Sequence, residues 1–261
     1  MSTDEEKSES TPLFSANIQI GKLRQILAPP ALLDPNSDAV FRISPNKIII
    51  RSVDGAQVIM AHQTISKEAF ETYELDGDAF TFGVQCDILR EILSSRSSSS
   101  YAQFEIDQNK GIFTVTSGDV FSELGGISSA AISEAPDSEH EYTTKIKLHS
   151  KSLHNTADTL EVIGGTVKIK IQSDVAKVSA ADDTNKAEIN LAKGEHSDQF
   201  EFMEIQSSAS AKYEYALLEK LVRLLPDDRS VKLSLKDDYP VSIQAEIFED
   251  ANAEFILAPK T

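Results

Sequence analysis

The chain predicts an α+β fold of two similar domains, each pairing two short helices with antiparallel sheets, from three observations. First, residues 214–225, Glu-Tyr-Ala-Leu-Leu-Glu-Lys-Leu-Val-Arg-Leu-Leu, echo residues 85–93, Gln-Cys-Asp-Ile-Leu-Arg-Glu-Ile-Leu, placing Leu218 129 positions after Leu89. Second, a short helix around Leu23 recurs 130 positions later around Leu153. Third, each half reads helix, strands, helix, strands. A unit of ~130 residues used twice points to a scaffold, ring or array ahead of a single catalytic pocket.

Residues 1–11 are polar and acidic, and domain 1–12 is read as a disordered tail. The first domain spans 13–124. A helix is expected over 20–28, ended early by Pro29-Pro30 because proline lacks the amide that continues a helix. Strands follow at 39–43, 47–53, 58–65, 69–75 and 79–84, most of them alternating or β-branched. A second helix over 85–95 runs into the serine run at 97–100, a flexible loop. Strands return at 101–107, 111–116 and 120–124. Periodicity then fails over 125–141, the natural connector between domains.

The second domain, 142–261, opens with a strand at 142–148. A helix over 151–162 carries Leu153, Ala157 and Leu160 on one face and stops at Gly164-Gly165. Strands are read at 166–172, 176–181, 187–191 and 200–207. The fourth helix covers 213–225, closed by Pro226, and strands finish the chain at 231–235, 241–248 and 253–257. About nine strands and two helices per copy is the economical packing of helices across one face of a sheet.

The length fits two domains, each with its own core. No apolar run approaches the ~20 residues that span a bilayer, and the N-terminus lacks the pattern of a signal peptide, so no membrane partner is expected. The single Cys86 excludes an internal disulfide and is read as a buried structural thiol. Net charge is −17, which opposes simple electrostatic binding to nucleic acid.

Motifs of catalysis are missing from the sequence: it has no Gly-rich phosphate loop and no G-x-S-x-G elbow. His62, His140, His149, His154 and His196 lack metal-ligand spacing with any cysteine, and His149 and His154, five apart at a helix start, are expected to point in different directions. Asp182-Asp183, Asp227-Asp228 and Asp237-Asp238 are read as turn residues. No catalytic residue, metal or cofactor is expected.

Two stretches are more specific. One is Arg51-Ser-Val-Asp54-Gly-Ala-Gln-Val58-Ile-Met60 followed by Phe70-Glu-Thr-Tyr73; the other is Tyr239-Pro240-Val241 with the chain end Glu254-Phe-Ile-Leu-Ala258-Pro259-Lys260-Thr261. Together they closely resemble the archaeal and eukaryotic sliding clamps, the proliferating cell nuclear antigen family, over residues 13–261. What the resemblance implies is the DNA clamp fold: a closed ring of three identical subunits, with strands outside and twelve helices around duplex DNA. Such a clamp tethers polymerase, clamp loader, ligase and nuclease through short peptide motifs and catalyses nothing. Localisation would be cytoplasmic and nucleoid-associated if archaeal, nuclear if eukaryotic. The alternative reading is a paralogue serving as a hetero-oligomeric ring subunit or scaffold with weak DNA grip.

The resemblance makes Lys22, Arg24, Arg90, Arg96, Lys151, Lys212, Lys220 and Arg223 the DNA-facing residues. In the helical segments 20–28, 86–96, 149–162 and 212–225 they stand against six acids, Asp87, Glu91, Asp158, Glu161, Glu214 and Glu219. A mildly positive lining with an acidic outer wall would hold DNA by topology. By the same resemblance, Val53, Val58, Met60, Ile127, Ile132, Pro240, Ile256, Ala258 and Pro259 line an apolar pocket for partner peptides. Val120, Phe121, Glu123 and Leu124 of one subunit would meet Lys186, Ile189 and Leu191 of the next, Lys193 also facing Glu123. The sequence departs from the family in Pro29-Pro30, the serine run and a lysine-poor lining. Gly125-Gly126 shortens the contact strand, so a ring that dissociates readily is expected.

Overall fold

A computed structural model describes residues 13–33, 36–136, 140–173, 175–193 and 197–260. Residues 1–12, expected to form a disordered tail, and His196 lie outside them. The first half runs β1 (Phe14–Gln19), α1 (Ile20–Leu33), β2 (Asp38–Ser44), β3 (Lys47–Val53), β4 (Ile59–Ser66), β5 (Thr72–Leu75), β6 (Phe80–Gln85), α2 (Cys86–Leu93), β7 (Tyr101–Asp107), β8 (Ile112–Ser117) and β9 (Val120–Gly125). The second half repeats it as β10 (Thr144–His149), α3 (Ser150–Glu161), β11 (Thr166–Gln172), β12 (Val175–Ala181), β13 (Lys186–Asn190), β14 (Glu201–Ile205), β15 (Ala209–Glu214), α4 (Tyr215–Val222), β16 (Ser230–Leu235), β17 (Val241–Phe248) and β18 (Ala251–Leu257).

Each helix begins where a strand ends, with no turn between. Gln85, His149 and Glu214 keep extended backbone angles and serve as N-caps of α2, α3 and α4. Two strands were absent from the sequence reading, β1 and β15, which enter α1 and α4; unlike β6 and β10, most of their positions are alanine or polar, so the apolar alternation that marks a strand is weak. The expected helix over 213–225 therefore starts at Tyr215 instead.

The proline expectation is also corrected. α1 continues through Pro29 and Pro30 to Leu33, with both prolines buried. Pro30 cannot donate to the carbonyl of Ile26, one turn earlier; the side-chain amide of Gln63 donates to that oxygen instead, at 3.0 Å. Gln63 is fully buried, so β4 supplies the bond the proline removed.

The strands form a five-stranded sheet, β5-β1-β7-β8-β9, a four-stranded sheet, β13-β12-β11-β15, and a nine-stranded sheet, β14-β10-β16-β17-β18-β4-β3-β2-β6. The last one crosses the repeat: β18 of the second half pairs antiparallel with β4 of the first, from Ala251 opposite Ile65 to Leu257 opposite Ile59. Helices α1 and α2 pack together, as do α3 and α4, and the leucines of the echo, Leu23, Leu89, Leu153 and Leu218, all point into one continuous core. Cys86 is buried there, as expected. Phe70 meets Tyr73 at 5.3 Å and Phe104 at 6.2 Å, and Tyr73 meets Phe14 edge-on at 4.9 Å, so the Phe70–Tyr73 motif is core packing.

Candidate functional site

The face of the nine-stranded sheet turned away from the helices carries the apolar residues singled out above. Val53 on β3 stands opposite Met60 on β4, and Met60 opposite Ile256 on β18, making one row across three strands. Asp54 fixes the loop beside that row: its Oδ1 accepts from the amides of Val58 at 2.6 Å and Ile59 at 2.7 Å. The Asp-x-x-x-Val spacing is thus a turn closed by a carboxylate. The amide of Ala258 donates to the carbonyl of Val58 at 2.9 Å, bringing the end of the chain alongside. Pro240 immediately precedes Val241, which pairs with Leu257 one residue before Ala258.

The connector crosses the same face. Ile127 bridges Gly83 on β6, Ser129–Ala131 forms a 3-10 turn, and Glu134 makes a two-pronged pair with Arg42 at 3.0 and 2.8 Å. The approach is close: a Cβ on Gly83 would lie 2.3 Å from the carbonyl oxygen of Ile127, and one on Gly126 would lie 2.3 Å from the Phe82 ring. Ile132 shares a 150 Å³ cavity with Val53, whose rim includes Asp38, Asp54 and Gln57.

The sequence reading missed an aromatic group at the far end of the connector. Tyr239 meets His140 edge-on at 5.6 Å and Tyr142 at 5.9 Å, and the Tyr239 hydroxyl lies 3.1 Å from His140 Nδ1. Burial first, and the neighbouring Glu254 second, push the Tyr142 hydroxyl well above its ordinary range. Glu254 shares the outer face with Ile256, two residues on, so these rings stand beside the apolar row. The signal was present in Tyr239-Pro240, quoted as a motif but read only for its proline.

The cationic residues are more scattered. Lys212 lies on β15, with its side chain on the face opposite the helices, since Ala211 and Tyr213 fill the core. Arg24 closes the end of α2: its guanidinium donates to the carbonyls of Leu93, Ser94 and Arg96. Lys22 bonds the carbonyl of Ala69 and sits 5.4 Å over the Phe248 ring. Arg96 pairs with Asp119 at 2.8 Å, and Arg223 with Glu219, both just beyond their helices. Arg90 and Lys151 are exposed on α2 and α3, and Lys220 is half-buried on α4. With these boundaries the four helices hold five basic and five acidic residues, so the expected positive excess of the helices disappears.

His149 and His154 do not diverge. His149, the last residue of β10 and the N-cap of α3, has its Nε2 2.9 Å from Asp228 while His154 faces Asp227 at 3.9 Å; all four line one 700 Å³ cavity. Among the described residues no group of three or more such side chains is arranged to hold a metal ion.

Both strands expected to join subunits are sheet edges: β9 ends the five-stranded sheet and β13 ends the four-stranded one. Phe121 is 67% exposed and Glu123 is exposed, while Val120 and Leu124 are half-buried. On β13, Lys186 is exposed and Ile189 half-buried; Leu191 is buried and bonds Ala176.

Residues 136–260 match the family described as "Proliferating cell nuclear antigen, C-terminal domain". Relatives extend over nearly the whole chain: the DNA polymerase sliding clamp of Thermoplasma acidophilum is 25% identical over 95% of this chain and 99% of its own. That of Nanoarchaeum equitans is 24% identical over 89% of this chain and 94% of its own. Among solved structures, A. fulgidus PCNA bound to the C-terminal region of FEN-1 superposes with a TM-score of 0.85 at 21% identity, covering 95% of this chain and 98% of that one. PCNA from Entamoeba histolytica gives 0.82 at 15% identity, over 96% and 100%. Two nine-strand, two-helix units sharing one sheet constitute the DNA clamp fold. Residues 136–260 thus carry a proliferating cell nuclear antigen C-terminal domain, and the chain over nearly its whole length is similar to DNA polymerase sliding clamps.

Proposed function

We propose that this protein is a non-catalytic sliding clamp: repeats 13–124 and 142–261, joined by connector 125–141, close with two further copies into a ring around duplex DNA. The observation that carries this reading is the join between β18 and β4. Within each repeat the sheets correspond strand for strand, and the counterparts of β18 and β4 are β9 and β13, both edges. A chain that has made this join once internally carries both halves of it unused at its ends, and head-to-tail pairing of unlike edges closes into a ring when the rotation permits.

Transferring the internal register predicts the partner for each residue. Ile256 opposite Met60 becomes Glu123 opposite Lys186, and Ala253 opposite Gln63 becomes Val120 opposite Ile189. Duplex DNA would then pass the helices, with Arg90, Lys151 and Lys220 available to phosphates and Arg96 and Arg223 already paired. A lining of balanced charge holds DNA by enclosure and grips it weakly. The row Val53–Met60–Ile256, flanked by Ile127, Ile132, Pro240, Ala258 and Pro259, would dock aromatic anchors of partner peptides from polymerase, clamp loader, ligase or nuclease. The site of action would be the nucleoid or nucleus; among the described residues no helix is long and apolar enough to cross a membrane.

The test is retention on DNA after loading. The protein should stay on a closed circle and leave the same DNA once it is cut. Equal loss from both overturns encirclement, and a monomeric mass at micromolar concentration shifts the reading to a subunit of a mixed ring.

A further inference from the structure

An acidic outer wall was expected, and one sheet face departs from it. On the face of the four-stranded sheet turned away from α3 and α4 stand Lys168 and Lys170 of β11, Lys177 of β12, Lys186 of β13 and Lys212 of β15. Lys260 joins them, its amide bonding the carbonyl of Lys212 at 2.7 Å and its Nζ reaching Thr166 at 3.0 Å. Against these six lysines the face carries Glu188 and Glu214, with Asp237 at its rim, bonded to the Ser210 amide. Lys177 and Lys186 share Glu188, at 2.6 and 3.9 Å; among the described residues Lys168, Lys170 and Lys212 form no ion pair.

The placement works against stability. Lys168 is directly opposite Lys212, and Lys170 directly opposite Lys177. Like charges facing one another across strands repel, and in a chain with 42 acids against 25 bases they do not arise from a surplus of lysine. These four cations step across three adjacent strands, β15, β11 and β12, about 5 Å apart, with Lys168 and Lys170 about 7 Å apart along β11. That second spacing matches alternate side chains of an extended peptide.

We propose that this lysine face is a second docking surface, which binds an extended acidic segment of a partner protein while the apolar row takes its aromatic anchors. A short acidic segment fits better than nucleic acid for two reasons. Among the described residues the face presents no aromatic ring on which an unpaired base could stack. A duplex would also overrun a patch about 15 Å wide onto a chain whose remaining surface is strongly acidic, whereas a short peptide stays within the ~8–10 Å over which the lysines act. The inference rests on this face alone and does not require the ring. If β13 does pair with β9 of a second copy, Glu123 occupies Lys186, and Lys168, Lys170 and Lys212 stay open.

The probe is a fluorescein-labelled peptide of two Glu-Ser repeats, about 13 Å when extended, measured by anisotropy with the full chain at low and at high salt. Saturable binding is expected at about 50 mM salt, falling steeply as salt rises. The triple variant Lys168→Glu, Lys170→Glu, Lys212→Glu should weaken it at least about tenfold, and the Gln versions of the same three less so. Circular dichroism and unaltered binding of an aromatic-anchor peptide at the apolar row show that each variant is folded. Failure of the aromatic peptide to bind wild type sinks the apolar-row reading and leaves this one standing. The proposal is overturned by no saturable binding at low salt, by undiminished binding to the Glu variant, or by a (dT)10 oligonucleotide that binds this face more tightly than the peptide.

Discussion

Gly83 and Gly126 decide how closely the connector crosses the sheet. Any side chain at Gly83 meets a backbone oxygen, which cannot swing away as a flexible side chain would. Gly83→Ala should therefore lift residues 127–132 from β6, lowering stability by about 1–3 kcal/mol and weakening peptide docking beside Ile132, as read by thermal unfolding and calorimetry. Unchanged values in both would show that the connector is not seated there. Asp182 holds a second turn, between β12 and β13, where its carboxylate accepts from the amides of Thr184 at 2.7 Å and Asn185 at 2.6 Å. Those amides, with the Asn185 side chain, lower its pKa from 3.8 to about 2. A depressed carboxylate favours the folded turn at every pH above its unfolded value, and that help is lost as pH falls through about 2. The Asp182 carboxyl signal in an NMR titration should have its midpoint near 2; a midpoint at the ordinary value would mean the turn is open in solution.

Among the elements, α1 shows how a bond from another strand overrides a local rule. Proline chemistry alone ends this helix at residue 28, and it continues because Gln63 repairs the ladder from β4. Gln63→Leu should destabilise the protein in urea by only about 1 kcal/mol: the Ile26 carbonyl loses its donor, but the buried Gln63 Oε1, which accepts no bond, is removed as well. A loss of several kcal/mol would mean the amide organises more than one carbonyl. The same example marks what the sequence can reveal. Periodicity located the four helices and most strands, because alternation and the leucine echo are local properties. β1 and β15 were missed because alanine and polar residues fill most of their positions, leaving only a weak alternation before the helix. Of the candidate site, Val53, Met60 and Ile256 were legible as apolar residues on strands, whereas the Tyr239–His140–Tyr142 group depends on a contact spanning about a hundred residues of sequence. Lys212 was placed on a helix for the same reason β15 was missed. Charge counted along sequence segments also misled: the lysines of β11, β12 and β15 converge only once the sheet forms.

For the whole molecule, the duplication turns one internal join into a rule for assembly. The β18–β4 pairing shows that the two kinds of edge fit in one register, and β9 and β13 offer the same edges to another copy. β9 is six residues long and ends at Gly125, against seven residues for β18, and its outward positions are Phe121 and Glu123 where β18 has Glu254 and Ile256. In the proposed ring the external join would therefore be shorter, and it would replace the Ile256–Met60 contact by an exposed pair, Glu123 with Lys186, contributing at most about 1 kcal/mol. A ring that separates on dilution before the subunits unfold is expected. Reversing one charge, Glu123→Lys, sets two lysines opposite each other and should raise the dissociation constant several-fold in sedimentation equilibrium. Adding Lys186→Glu restores the pair in the opposite sense and should recover most of the loss, although Lys186→Glu alone also weakens assembly and places a second carboxylate beside Glu188. Recovery in the double variant ties Glu123 to Lys186 across the subunit boundary. Strictly additive losses would place the two residues apart and refute the transferred register, whatever the size of the assembly.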